Sequence, residues 1–307
     1  MGLLSNRDAS GASSLRRIVT GNYTMLAIPA FLGSMAVEYL ALRRKADVLV
    51  ELDDPTTESN TARPLGYEAR DTLASLAMGA GMLAIGVAAS KAFDPLDRWL
   101  YRRRLASLGS RRFGFAAAVL AWDFFYYWDH RWGHEHRVFW AAHVNHHSSR
   151  RYNLSTALRQ SWTGAMMHWV FTPMFAMGFS PAQVARAGEL NLLYQYWVHT
   201  ETIDKLPRPV EMVFSTASHH RVHHGADPQY LDRNYGGILI LWDRLFGSFE
   251  PEVERVHYGL TKNIDTFNPV RIAYHEWADI IRDLARSSSW RERVGYTFGP
   301  PGWAANA

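Results

Sequence analysis

Apolar residues along the chain gather in blocks, and the blocks have the length of membrane helices. Tyr23 to Leu42 contains one charge, Glu38, and Thr72 to Ser90 contains none. Phe113 to Trp128 carries only Asp123, and Trp162 to Ala182 is uncharged apart from the titratable His168. A bilayer core takes about 20 residues of helix, so the blocks predict spans, the second and fourth being the strongest candidates. For any single block the alternative is a buried helix of a soluble protein. Four together favour the membrane. The polar, Ser-rich start with paired Arg16 and Arg17 predicts a loose tail over 1–22 ahead of a retained helix, not a cleaved signal peptide. Glu51 to Arg70 is acidic and then marked by Pro and Gly, which predicts a loop between two neighbouring spans.

Charge changes the picture only once it is located. The net charge is +4 and the pI near 9.3, but basic residues sit beside the apolar blocks. Arg43, Arg44 and Lys45 follow the first; Arg102, Arg103, Arg104, Arg111 and Arg112 precede the third. Lys and Arg collect on the cytoplasmic side of spans, so both ends are expected to face the cytoplasm. That use of charge, with no Lys/Arg stripe interleaved with aromatics, leaves no nucleic acid partner expected.

The absence of cysteine excludes thiolate metal sites, Fe–S clusters, Cys nucleophiles and disulfides. Any metal must be held by nitrogen and oxygen, and the chain has 14 histidines, most of them between 130 and 224. His130 and His134 form an HxxxH pair directly after the third block. His143, His146 and His147 form HxxHH, a spacing repeated by His220, His223 and His224, with His219 adjoining. On a helix, residues three and four apart share a face, so each cluster can present several imidazoles to one side. A neutral imidazole has both a donor and an acceptor to satisfy, and this many rings cannot all be satisfied core residues. The donors exceed one ion's first shell, which points to two ions. His199, isolated in sequence, reads by itself as a core histidine. Glu135 could bridge or support a metal or pair with Arg131, and Asp123 and Asp129 could orient imidazole N–H groups. Imidazole suits Zn, Cu, Fe and Ni alike, so donor type does not choose the metal. Iron is favoured by the chemistry that many neutral histidines beside lipid would serve, activation of O2 against an unactivated C–H bond.

The series HxxxH, HxxHH and HHxxHH, followed by NYGGILILWDRLFGSFEPE, resembles the fatty acid hydroxylase and sterol desaturase superfamily of membrane di-iron enzymes. Within it, HVNHHSSRRYNLSTALRQS, NLLYQYWVHTETIDKL, SHHRVHHG, YGLTKNIDTFNP and the terminal GPPGW are most similar to the branch that cleaves the ether bond of alkylglycerol lipids. The resemblance implies an all-α integral membrane helical bundle with a histidine-rich di-metal site at its cytoplasmic face. It divides the chain into a tail over 1–22, transmembrane helices and a basic linker over 23–112, a di-iron catalytic domain over 113–285 and a C-terminal tail over 286–307. Carried over by position, the iron ligands are His130, His134, His143, His146, His147, His220, His223 and His224, with His199 and His219 as additions, and Glu135 is the catalytic acid. Asn153, Arg159 and Gln160 are candidates for substrate contact, Arg159 suiting either a phosphate headgroup or an acidic partner.

The implied activity is O2-dependent monooxygenation of a lipid by two iron ions, with ether cleavage where the hydroxylated carbon adjoins an ether oxygen. The reductant stays open between tetrahydrobiopterin, cytochrome b5 and a ferredoxin-type donor, so an electron-donor protein is a possible partner besides the lipid and the membrane. The rivals are hydroxylation or desaturation of a sterol, sphingolipid, aminolipid or carotenoid by the same cage and, in another class, a metal transporter or sensor. Transport would place ligands inside the spans, whereas here only His168 lies within an uncharged apolar block.

Overall fold

A computed structural model describes residues 23–52 and 66–305, with side chains of the first helix from 27 to 44. The tail expected over 1–22 and most of the acidic connection lie outside the described residues. The described chain is predominantly helical; its only β-pairing is two isolated bridges, Phe214 with Leu239 and Gly225 with Tyr258.

Four long helices set the frame: α1 (Tyr23–Leu52), α2 (Ala69–Arg102), α3 (Gly114–Glu135) and α7 (Pro181–Tyr196). The first three apolar blocks thus each become one helix. The fourth does not. It breaks into a 3-10 helix, Gly164–Phe171, and a single α-turn, α6 (Pro173–Ala176), so the span expected there is not formed. Pro173 brings no N–H to continue a helix. Gly178 takes a left-handed φ of +91° where a Cβ would lie 2.2 Å from the Ala106 carbonyl oxygen. Hydrophobicity was legible in this block, but its backbone path was not.

One end of the frame closes on an apolar core in which Ala118 and Trp122 of α3, Met174 and Phe175 of α6, Phe179, and Val184 and Ala187 of α7 interlock. Gly188 lets α7 approach α3, since a Cβ there would meet the Trp122 ring at 2.9 Å. The other end is polar. Glu38, the one charge of the first block, is 3% exposed and accepts from Leu154 N (2.8 Å), Tyr67 Oη and Thr200 Oγ1. Asp71 at the start of α2 accepts from Ser149 Oγ (2.7 Å) and Arg159 Nη1 (3.0 Å). Polar groups in otherwise apolar helices therefore fasten α1 and α2 to the segment 149–159.

Among the described residues, α2 is the one helix long and apolar enough to cross a membrane, and only 17% of its most apolar window is buried. A soluble core helix would hide that surface. At 1.5 Å per residue its 34 residues reach about 50 Å, so the basic residues at 43–45 and those at 102–112 lie at opposite ends of the frame. If α2 crosses a bilayer, the two groups cannot both be cytoplasmic, which corrects the expectation from charge alone.

The remaining helices cap the polar end: α4 (Arg137–Trp140), α5 (Val144–His147), α8 (Arg208–Val213), α9 (Ala217–His223), α10 (Leu241–Phe246), α11 (Pro269–Arg286) and α12 (Trp290–Phe298). The 286–307 stretch, expected as a tail, thus contains a helix. Arg137 of α4 ties it down, donating through its backbone N–H to Gly299 O (2.9 Å) and through its guanidinium to Glu276 and Asp283 of α11 (2.7 Å each).

Candidate metal centre

Nine histidines converge at the polar end in two adjoining groups. Ligand nitrogens of His130, His134, His143, His147 and His223 all lie within 4.8 Å of one another, as do those of His146, His199, His220 and His224. Every ring is buried except that of His143, which is half-buried. Helix geometry explains the division. His130 and His134, one turn apart near the end of α3, enter the same group. His143 and His147 do likewise across α5, while His146 between them faces the other group. Across α9 the pattern inverts: His220 and His224 share one group and His223 goes to the other. Each HxxHH motif therefore serves both groups, and the His147 and His224 rings stack at 4.3 Å where the groups meet. His199, following α7, joins the second group although nothing beside it in sequence marked it.

Hydrogen bonding fixes which ring nitrogens carry protons. A carbonyl oxygen only accepts, so a ring nitrogen beside one must donate. His130 Nδ1 donates to Tyr235 O (2.8 Å), His146 Nδ1 to Arg159 O (3.3 Å), His199 Nδ1 to Gln195 O (2.7 Å) and His223 Nδ1 to Arg233 O (3.0 Å). In the neutral rings the Nε2 atoms are then bare lone pairs. His199 and His146 nevertheless bring theirs within 3.1 Å of each other. His220 Nε2 lies 2.9 Å from His199 Nε2, and His143 Nε2 lies 3.0 Å from those of both His130 and His147. The buried Nε2 atoms of His134, His223 and His224 have no partner at all. Between His146 and His199, whose Nδ1 atoms both donate to carbonyls, lone pair faces lone pair, which is repulsive in a buried site without a cation between them. Two nitrogens each about 2.1 Å from one metal naturally sit about 3 Å apart, so these residues fit metal ions.

Burial keeps the rings neutral. It holds the imidazoles of His143, His146, His147, His220, His223 and His224 well below their ordinary value, and lowers that of His199 to about 4. The unfolded chain takes up protons below about 6.5 while the folded chain resists them, so stability is present above that pH and is lost as pH falls below it. Chelator-treated protein is accordingly expected to melt lower at pH 5 than at pH 7.5 by differential scanning fluorimetry. Equal melting temperatures would contradict neutral, buried rings.

The tenth histidine put forward as a ligand, His219, stays outside. His219 Nε2 lies 3.0 Å from Glu211 Oε2, with Thr216 Oγ1 at 3.3 Å from its Nδ1, and it belongs to neither group. Asp123, expected to orient an imidazole, instead accepts from the backbone N–H groups of Ile238 (2.7 Å) and Leu239 (3.1 Å), from Asn191 Nδ2 and from Trp242 Nε1. Asp243 similarly receives the N–H groups of Tyr235 and Gly236, both at 2.7 Å. These two acids hold the 235–243 loop, and the loop offers its Tyr235 carbonyl to His130. The partners that orient the imidazoles are thus backbone carbonyls, which have no residue-type signature to read.

Glu135 accepts from Arg131 Nε at 2.8 Å and, with His134, His147 and His223, lines a cavity of about 1090 Å³ beside the first group. Arg159 is 1% exposed, and its guanidinium reaches Asp71 and Ser148 Oγ (3.0 Å each). Asn153 is wholly buried, donating to Gly66 O at 3.0 Å, while Gln160 donates to Ala157 O at 2.7 Å. None of these three lines the cavity.

The profile of the fatty acid hydroxylase family matches residues 115–248, the segment that supplies every histidine of both groups. That match covers less than half of the chain. The chain around it is 45% identical to alkylglycerol monooxygenase of Homo sapiens over 187 residues, 61% of this chain and 42% of that protein. It is 44% identical to alkylglycerol monooxygenase of Danio rerio over 61% of this chain and 42% of that protein. A more distant likeness, 27% over 146 residues, covers 46% of this chain and 44% of an ornithine lipid hydroxylase of Rhizobium tropici. The chain thus spans about two fifths of the length of the alkylglycerol monooxygenases it matches. No solved structure matches it.

Proposed function

We propose that the protein is an O2-dependent lipid monooxygenase whose two histidine groups each hold one iron ion, and that its substrates include alkylglycerol ether lipids. The observation that carries this reading is the pair of buried imidazole groups, with the bare Nε2 atoms of His146 and His199 facing each other and those of His134, His223 and His224 unpartnered. Likeness to alkylglycerol monooxygenases supports the substrate class. Two irons supply, when bound, the oxidising power to place one atom of O2 into a C–H bond, the other leaving as water with two electrons and two protons from an external reductant.

The chain's own contribution is positioning and proton handling. Nine buried or half-buried imidazoles, four of them held by backbone carbonyls, form a fixed donor set, and the cavity beside the first group holds the reacting carbon near it. When the hydroxylated carbon adjoins an ether oxygen, the product is a hemiacetal. Its hydroxyl proton must leave and the ether oxygen must gain one as the C–O bond breaks, giving an aldehyde and a free glycerol hydroxyl. Glu135, the carboxylate beside His134 on the cavity wall, is assigned that relay, with Arg131 holding it in place.

In this reading α2 crosses the bilayer with α1 and α3 alongside, and the metal groups lie at its Asp71 end. That face is assigned to the cytoplasm by the family resemblance, since the basic residues are divided between the two ends of α2.

Lipid mass spectrometry of membranes with and without the expressed protein tests the reaction. Alkylglycerols are expected to fall and fatty aldehydes to rise in an oxygen-dependent manner. A gain of one oxygen without chain loss would move the substrate toward a carbon remote from an ether, as in hydroxylation of an aminolipid. Unchanged lipids would overturn the reading.

A further inference from the structure

Helix α11 carries more apolar surface than the core covers. At 3.6 residues per turn Val270, Tyr274 and Ile281 fall on one stripe. That stripe points outward: Val270 is 59% exposed, Tyr274 42% and Ile281 67%, while Trp277 beside it is half-buried and donates its indole N–H to Thr163 Oγ1 (3.2 Å). The opposite face carries Arg271, His275, Glu276, Asp279 and Arg282, and these line the inner cavity. A helix on a soluble protein turns its apolar stripe to the core and its charges to solvent; here Ile272, Ala273 and Ile280 are buried while a second apolar edge stays outside. The next helix repeats the exposure, with Trp290 at 76%, Val294 at 42% and Phe298 at 55%, spaced one turn apart along α12.

Two further observations say what covers this face. The first is depth: Ile272 and Ala273 of α11 pack against Ala74 and Met78 of α2, at the boundary where the uninterrupted apolar stretch of α2 begins. The platform is therefore continuous with the surface through which α2 would enter lipid. The second is charge. Arg286, Arg291 and Arg293 are exposed along the two helices, whereas nearby acids have partners: Glu276 and Asp283 bind Arg137, Asp279 binds Arg282 and Glu292 receives Ser288. Basic residues flanking an outward apolar stripe match a layer that is anionic at its surface and apolar beneath.

Resting on the membrane reading of α2, we propose that α11 and α12 form an interfacial platform, lying in the headgroup layer of a bilayer containing anionic phospholipid. Their apolar stripes face the acyl chains and their arginines face the headgroups. The polar side of α11 then serves as the wall between that layer and the cavity beside the metal groups.

The cysteine-free chain makes the test direct, because any introduced cysteine is the only one. Full-length Val87→Cys, Ile281→Cys, Val294→Cys and Val253→Cys proteins are spin-labelled and reconstituted in vesicles of phosphatidylcholine with phosphatidylglycerol. Collision with membrane-dissolved oxygen is then compared with collision with an aqueous nickel chelate. Labels at 87, 281 and 294 are expected to favour oxygen, and that at 253, 71% exposed on a loop, to favour nickel. In pure phosphatidylcholine, positions 281 and 294 should shift toward nickel while 87 does not move. Nickel-favouring labels at 281 and 294 beside an oxygen-favouring label at 87 would overturn the platform and leave the span intact. Shielding of 281 and 294 from both reagents would also overturn it, in favour of a protein partner or a second copy. A nickel-favouring label at 87 would remove the membrane reading itself.

Discussion

Replacing His146 with alanine is expected to lower bound metal from two ions toward one per chain and to bring oxygen-dependent lipid oxidation to background, while the chain still folds and enters membranes. His146 shares the second group with His199, His220 and His224, and its Nε2 lies 3.1 Å from that of His199. Removing it takes away one of four nitrogens and leaves the remaining lone pairs around an incomplete cage. Loss of an orienting partner one shell farther out typically lowers metal affinity or activity about 10- to 100-fold, and loss of a ligand is expected to exceed that. His219→Ala is the control from the same motif. Its ring is engaged by Glu211 and stands outside both groups, so metal content should be unchanged and activity retained. Metal analysis and product formation on membranes carrying each variant decide the matter. Equal loss in both variants would mean that the division into groups does not describe the working site.

The second large effect concerns Arg159 and Asp71, 1% and 4% exposed. Removing one partner of a buried ion pair strands the other charge and costs about 3–5 kcal/mol. Arg159→Met and Asp71→Asn should each lower the unfolding free energy in detergent by an amount in that range. The double variant should be more stable than the sum of the two losses predicts, because it leaves no stranded charge. Metal retention should fall in Arg159→Met as well, since the Arg159 carbonyl receives the His146 Nδ1 proton and the pair fixes where that carbonyl stands. A phosphate-binding role for Arg159 makes the opposite forecast: stability unchanged in Arg159→Met, KM raised, and no rescue by Asp71→Asn. Denaturant titration of the three variants separates the two.

The same residue shows how far sequence could carry the site. Position and charge marked Arg159 as important and left open whether an anionic ligand or an acidic side chain would take it. The chosen partner stands in α2, a separation in sequence that no local pattern encodes. The histidine spacings were legible because i, i+3 and i+4 positions share a face whatever else the chain does. That logic placed eight of the nine converging rings, the eight in HxxxH and HxxHH spacing, but gave no means of seeing that each HxxHH motif serves two centres. His199 entered by resemblance alone. His219 looked equivalent to its neighbours because its difference comes from Glu211, on another helix.

For the fold, hydrophobic blocks read correctly where the backbone was free to continue, as in α1, α2 and α3. The Trp162 to Ala182 block was just as apolar and still broke, because Pro173 and the left-handed Gly178 set its path. The basic residues misled for a different reason. The positive-inside rule treats each neighbourhood separately, whereas the unbroken length of α2 puts Arg43 and Arg102 at opposite ends.

The most direct measurement is the metal content of purified, unsubstituted protein by inductively coupled plasma mass spectrometry, normalised to chain by amino-acid analysis. Two ions of iron per chain are predicted. A single ion, or none after reconstitution with ferrous iron under anaerobic conditions, would contradict the account.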